Sequence, residues 1–495
     1  MRKAGYVHLI DQCSISAVKP GISVEVATVT RKEVLGNTLL VPPTMVPAPE
    51  DLLGHVAFAL KHEGMNLQVL AQVLPLIPEI DIRCAIDSSP NSQYLRKACF
   101  LWEHFSGRSI QRAVQNIRQS YVPLFDSSQY VTGPGIKNSR WRVTFNGLGS
   151  LDYCVTVRRT KPIESLLNQD VLQRNELFFK SLPQTVADRT LAWAYWTETW
   201  DSWAIENESP SEGRAVRFVN LLKKARYRDR LDESYLVAIQ NDLVSNALVR
   251  ATAFRTEQNY LSNGLPGSLG VTYVPPDPTL ARQLMDELMA MANASPSNVD
   301  PLVLASIVSL GFVFIHPFMD GNGRLSRFLF HQVLRSHGAL DDSVLIPVSI
   351  VLRRGESEYL EALRAFSEPV TRYWRIRSRD EKGLALTFEG HPALYRYWDA
   401  TKGVELMLNA TKLVIDQDLK REVVFLKRYD EIYRRIDQEF DVVNMDLTRL
   451  VRFCLEQNGQ ISGDRRRQFE HKVPQEVFDA LEQAYHAVMS NRAEG

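Results

Sequence analysis

Between residues 316 and 327 the chain gathers His316, Asp320, Gly321, Asn322, Gly323, Arg324 and Arg327. These residue types, in this order, suit the transfer of a phosphorus-bearing group. An imidazole titrating near neutrality can take a proton from an attacking hydroxyl. Asp320 is a hard oxygen ligand of the kind Mg²⁺ takes together with substrate phosphates. Gly321 and Gly323 let the backbone turn sharply and come close to a ligand. Arg324 and Arg327 lie three apart on one helix face, and each offers a fork of donors to phosphate oxygens. Arginine in a first helical turn opposes the helix dipole, so a nearby anion supplies a reason to keep it. Each residue alone has a plainer explanation: a structural histidine, an Asp-Gly turn, two surface arginines. Their concentration in one loop is what carries the argument.

The loop must be placed by the elements around it. Residues 302–315 form the most apolar stretch of the chain, too short for the ~20 residues that cross a bilayer, and are expected to be a buried helix. Leu325, Phe328, Leu329 and Val333 repeat at helical spacing and stop at His337-Gly338, where glycine commonly ends a helix. The loop thus feeds a helix N-terminus, whose free amides and positive dipole end favour an anion. Leu280, Leu284, Leu288 and Met291 mark another amphipathic helix. Residues 263–276 are expected to be an exposed hairpin that ends in prolines.

The rest of the sequence bounds the class. At 495 residues, two or three packed units are expected. Composition is ordinary, with 45% apolar and 23% charged residues, and the 58 basic side chains balance the 58 acidic ones. A general nucleic-acid or membrane coat is therefore not expected. The five cysteines, Cys13, Cys84, Cys99, Cys154 and Cys454, make no C-x-x-C pair and are expected to be reduced and mostly buried. No long apolar stretch follows Met1-Arg2-Lys3-Ala4-Gly5-Tyr6, so a secretory signal is not expected and the chain is read as cytoplasmic.

Three regions are expected: an α+β region over 1–184, a helical catalytic unit over 185–364, and a helical region over 365–495. In the first, Trp141, Val143 and Phe145, then Tyr153, Val155 and Val157, alternate as a hairpin or two short strands joined by a longer loop. In the third, the apolar positions from Val404 to Ile436 fit one long helix or two abutting ones. The Arg465–Arg467 run after Ser462 looks like a helix start with a solvated face, while residues 458–462 between helices leave a small winged helix, and DNA contact there, as alternatives.

Residues 316–327 resemble the Fic-family motif HxFx(D/E)GNGRxxR at every specified position. The resemblance implies a mainly α fold, a helical core with a β-hairpin flap. It also implies a protein adenylyltransferase that moves AMP from ATP, with Mg²⁺, onto a hydroxyl of a protein substrate. His316 would be the base, Phe318 the loop's anchor, and Asp320 the Mg²⁺ ligand. Gly321, Asn322 and Gly323 would form the hole for the α- and β-phosphates. Arg324 would take the β/γ side and Arg327 the γ-phosphate. Gly323, where a phosphorylating relative carries lysine, favours AMP transfer. The hairpin, with Gly270, Val271, Thr272 and Tyr273, falls where the family places the flap that pairs with the target backbone.

Ser202, Glu206 and Asn207 resemble the family's inhibitory pattern (S/T)xxxE(G/N), on a helix near 197–207. The resemblance implies an ion pair from Glu206 to Arg327 that occupies the γ-phosphate position. Flanking text also resembles long bacterial Fic proteins. A homodimer and self-modification are compatible with the resemblance; a membrane partner is not expected. Removal of AMP from a target, another nucleotide donor, and an ATP-sensing regulatory or DNA-binding protein remain as alternatives.

Overall fold

Asp277-Pro278 and Asp300-Pro301 each open a helix in the same way. The aspartate accepts from the first free amides (Asp277 Oδ1 from Thr279 and Leu280 N, 3.0 and 3.1 Å; Asp300 Oδ1 from Leu302 N, 2.8 Å). Proline at the first helical position costs nothing there, because its missing N–H has no intrahelical acceptor. The computed structural model describes residues 2–490 apart from 112–116, 118, 226–229, 245–249, 295–297, 342–343 and 380–382.

The chain is mainly helical with small sheets. The apolar helix Pro301–Ile315 is buried on nearly all sides and packs against Asn322–Ser336, Pro278–Asn293 and Thr401–Leu413. Around it one apolar core runs from Val131 to Leu419. That packing crosses both expected region edges, at 184 and 364. A second core joins residues 6–154 to Ala393 and Tyr397. A third holds Ile432 to Ala484. No helix among the described residues is long and apolar enough to cross a membrane.

Near the N-terminus a four-stranded sheet takes the order Lys3–Ala4, Ser23–Val26, Thr38–Val41, Glu33–Leu35. The alternating segments at 141–157 do form two strands, but they do not pair with each other. Val143–Phe145 pairs with Ile136–Asn138 and Val122–Pro123. Cys154–Thr156 pairs with Leu148–Gly149 and, in parallel, with Tyr397–Asp399 in the register Tyr397↔Cys154. That last pairing stitches the distant 397–399 segment onto the strand at 154–156, joining the third expected region to the first. The apolar repeat after residue 400 is one continuous rod: Thr401–Leu413, a π turn at Val414–Asp418, then Leu419–Glu439.

At the C-terminus, helices Asn444–Glu456, Gly463–Phe469 and Gln475–Ser490 close on the end of that rod. Ser462 caps the middle one. Among the described residues of 440–490 there is no strand, so the winged-helix alternative fails for want of a wing. Two of the three arginines of the basic run are paired locally. Arg466 bonds Asp479 (3.0 Å) and Glu482 (2.7 Å), Arg467 pairs with Asp464, and Arg465 stacks over Phe453. All five cysteines are free; Cys99, Cys154 and Cys454 are buried, Cys13 is half-buried and Cys84 is exposed.

Candidate active site

His316 closes the apolar helix in a left-handed conformation, φ 55°. That turn throws the chain out of the core and into the loop. Phe318 brings it back: its ring is buried against Phe254 and Phe312. Asn322 then staples the loop shut. Its Oδ1 accepts from Phe318 N (3.0 Å) and its Nδ2 donates to Phe318 O (2.8 Å). This side chain is committed to the loop backbone, so only the backbone amide of Asn322 is free for an anion. Gly321, at φ 85°, starts the helix Asn322–Ser336 from a left-handed position that a β-carbon would disfavour.

His316 is 8% exposed. Its Nδ1 lies 3.3 Å from the carbonyl of Val313. A carbonyl can only accept, so this bond puts the proton on Nδ1 and leaves Nε2 as the basic nitrogen. Burial, reinforced by the nearby Arg255 cation, pushes the imidazole down to about 4, against the lifting effect of the Val313 carbonyl. The ring is therefore neutral at pH 7.

Arg324 and Arg327 are both buried, although each carries a charge. Their partners explain how that is tolerated. Arg327 donates from Nη2 to Glu206 Oε1 (2.8 Å) and to the carbonyl of Ser202 (2.6 Å), and from Nε to Ser202 Oγ (2.7 Å). Burial depresses this guanidinium, and Glu206, with Tyr359 and Glu198, more than restores it, so Arg327 is raised above its ordinary value. Arg324 meets three carboxylates. Its Nε is 2.9 Å from Glu206 Oε2, an ion pair by distance without the alignment of a hydrogen bond. Its Nη1 bonds Glu208 Oε2 (2.9 Å) and its Nη2 bonds Asp320 Oδ1 (3.1 Å). Glu206 thus holds both arginines, one more than the expected pair.

The 202–208 segment has a local reason for its residue types. The helix Gln184–Ala204 ends there, Asn207 adopts φ 56°, and the amide of Glu208 turns back to the carbonyl of Trp203 (3.1 Å). A left-handed residue after the helix is tolerated best as glycine or asparagine. This accounts for the G/N choice after the glutamate. Gly323 is equally constrained: a β-carbon there would come within 2.2 Å of Glu206 Oε1.

The expected hairpin is present. Leu261–Ser262 pairs antiparallel with Val271–Tyr273. Thr272 is exposed and Val271 half-buried, while Gly270 ends the turn. Tyr273 does not face outward. Its ring is buried and its hydroxyl reaches the carbonyl of Phe314, tying the hairpin stem to the apolar helix.

Asp320 uses Oδ1 for its own turn, accepting from Gly321 N (2.6 Å), and for Arg324. Its side chain is 40% exposed. No cluster of three or more His, Cys, Asp or Glu able to hold a metal occurs among the described residues. A cation that takes one carboxylate and completes its shell from phosphate oxygens and water still fits this donor set. Sequence reasoning missed Glu208, Arg255, Gln240, whose amide donates to Asp320 O (3.2 Å), and Tyr359, buried beside Arg327. Only Glu208, two residues from Glu206, carried a local signal.

Residues 230–334 match the family model described as Fic/DOC family. Protein adenylyltransferase fic-1 of Caenorhabditis elegans is 29% identical over 143 residues, 29% of this chain and 26% of that protein. The protein of the same name from Caenorhabditis briggsae is 26% identical over 235 residues, 40% and 44% of the two chains. Protein adenylyltransferase Fic of Drosophila grimshawi is 33% identical over 97 residues, 19% of each. This chain spans less than half the length of these relatives. A solved Fic family protein from Desulfovibrio desulfuricans G20 aligns over 64% of this chain and 94% of its own, at 19% identity and a TM-score of 0.40.

Proposed function

We propose, from the match of residues 230–334 to the Fic/DOC family model, that this chain is a protein adenylyltransferase held in check by Glu206. The observation that carries the reading is the pair of buried guanidiniums at a helix N-terminus, both paired with a carboxylate from the turn that follows another helix. Two buried cations converging beside free helix amides make a polyphosphate site. Glu206 stands in that site as an internal anion.

In this reading ATP places its β- and γ-phosphates on Arg324 and Arg327 once Glu206 withdraws. The amides of Asn322 and Gly323 take the α- and β-phosphate oxygens, and that of Gly321 joins them once it leaves Asp320 Oδ1. The hydroxyl oxygen of a target side chain attacks the α-phosphorus and passes its proton to His316 Nε2. The bond from the α-phosphorus to the bridging oxygen breaks, its electrons leave on pyrophosphate, and AMP stays on the target as a phosphodiester. Asp320 would hold Mg²⁺, which when bound offsets the negative charge gathering on the leaving phosphates. The hairpin 261–273 would receive the target backbone as an added strand.

The test uses full-length Glu206→Gly protein and two ATP samples, one labelled at the α- and one at the γ-phosphorus. The reading predicts protein-bound label from the α sample alone. Label from the γ sample alone would make the chain a phosphotransferase and overturn it.

A further inference from the structure

Arg255 has no role in the chemistry above, yet its guanidinium is the hub of the loop's surroundings. The residue is 6% exposed. Burial pulls it down to about 10; Asp277 acts on it only from a distance, and no ion pair to it occurs among the described residues. A buried cation without a counter-ion is costly unless its donors are used. Here they are used on backbone. Nε donates to the carbonyl of His316 (2.9 Å), Nη1 to that of Glu257 (3.0 Å), and Nη2 to that of Pro276. The Arg255 amide donates to the carbonyl of Pro317 (2.8 Å).

These acceptors belong to two functional parts. Glu257 leads into the first hairpin strand and Pro276 follows the second, while His316 and Pro317 begin the active loop. Asn259 repeats the link, donating from Nδ2 to the carbonyl of Phe318 (3.2 Å). His316 needs such a hold, because a left-handed non-glycine residue is strained and persists only where its surroundings impose it. The planar fork of arginine can serve three carbonyls in fixed directions; a lysine ammonium cannot hold that plane.

We propose that Arg255 is a positioning residue that locks the hairpin stem and His316 into one frame, so that a target strand docked on the hairpin arrives in register with Nε2. It touches neither nucleotide nor target. The inference rests on the transferase reading for its purpose, but the mechanical link can be tested separately.

The test places Arg255→Lys and Arg255→Gln in full-length Glu206→Gly protein. Amide hydrogen exchange is followed at 261–273 and 316–321, with Leu284→Ala as a core-destabilised control. In Arg255→Lys both segments should lose protection together, on the order of 10-fold or more, at a melting point no lower than that of the control. Self-labelling from α-labelled ATP should fall on the order of 100-fold in kcat, the scale of a 1 Å misplacement, while the KM for ATP stays within about twofold. Arg255→Lys keeps the charge and most of the stem, so it remains informative if Arg255→Gln does not fold. Unchanged protection in both segments, loss in only one, or the same pattern in Leu284→Ala would overturn the proposal. If Glu206→Gly does not label at all, the transferase reading is in difficulty, and the exchange result still decides the coupling.

Discussion

Glu206 and Glu208 both lie against Arg324, but the structure gives them very different weights as a brake. Glu206 makes one aligned, charge-assisted bond to Arg327 and one unaligned ion pair to Arg324, and its side chain is 24% exposed. The first is worth about 2 kcal/mol as a hydrogen bond to a charged group. The second adds about 1 kcal/mol, the upper end for an ion pair with access to water and no directional bonding. A brake of about 3 kcal/mol corresponds to roughly 100-fold, at 1.4 kcal/mol per tenfold. Glu208 bonds only Arg324 and is 44% exposed, so solvent screening limits it to about 0.5 kcal/mol, or roughly twofold. The expected order for kcat/KM of AMP transfer is therefore Glu206→Gly far above Glu208→Gln, with Glu208→Gln near the parent. Initial rates at ATP concentrations below KM, read as protein-bound label, measure this directly. The reasoning is refuted if Glu208→Gln activates as strongly as Glu206→Gly, or if Glu206→Gly leaves kcat/KM within twofold of the parent.

Gly323→Ala would push a β-carbon into Glu206 and should destabilise the chain by about 1–3 kcal/mol, the usual cost of overpacking. In Glu206→Gly protein the same substitution should cost much less, so a melting-temperature double-mutant cycle that came out additive would count against the contact. Because burial holds His316 near 4, kcat/KM of Glu206→Gly should be level from neutrality down to about pH 5 and fall only below that; an acid limb near 6.5 would mean an unperturbed imidazole. Burial also raises Glu63 to about 8, against the opposing Tyr6 amide. The folded chain keeps a proton there that the unfolded chain releases above the ordinary carboxyl value of 4.5, so this group costs stability progressively as pH rises between those two values. Glu63→Gln should therefore stabilise at pH 8 and lose its advantage near pH 4.5, as read by denaturant unfolding at the two pH values.

The legible part of the site was its contiguous part. His316 to Arg327 occupy one loop and one helical turn, so their spacing alone fixed their neighbourhood. Glu206 could be found because a short motif marked it, although it meets Arg327 across 121 positions. Its second contact, to Arg324, depends on the turn at Asn207 that ends the helix, and no periodicity shows where a carboxylate lands after such a turn. Arg255 was illegible because all its acceptors are carbonyls, which every residue carries. The fold divides in the same way. Apolar repeats placed the helices 301–315, 322–336 and the rod after 400. Strand partners were hidden, since Cys154 pairs with Tyr397 across about half of the chain and alternation reports a strand without naming its neighbour. The C-terminal text suited a winged helix as well as a helical module, and only the absence of strands among the described residues there separated them.

The most direct test of the central claim compares three full-length proteins with α-labelled ATP and Mg²⁺: the parent, Glu206→Gly, and Glu206→Gly with His316→Ala. Strong protein labelling is expected in the second alone. Equal labelling with and without His316 would contradict it, because the proton would then be taken by some other group.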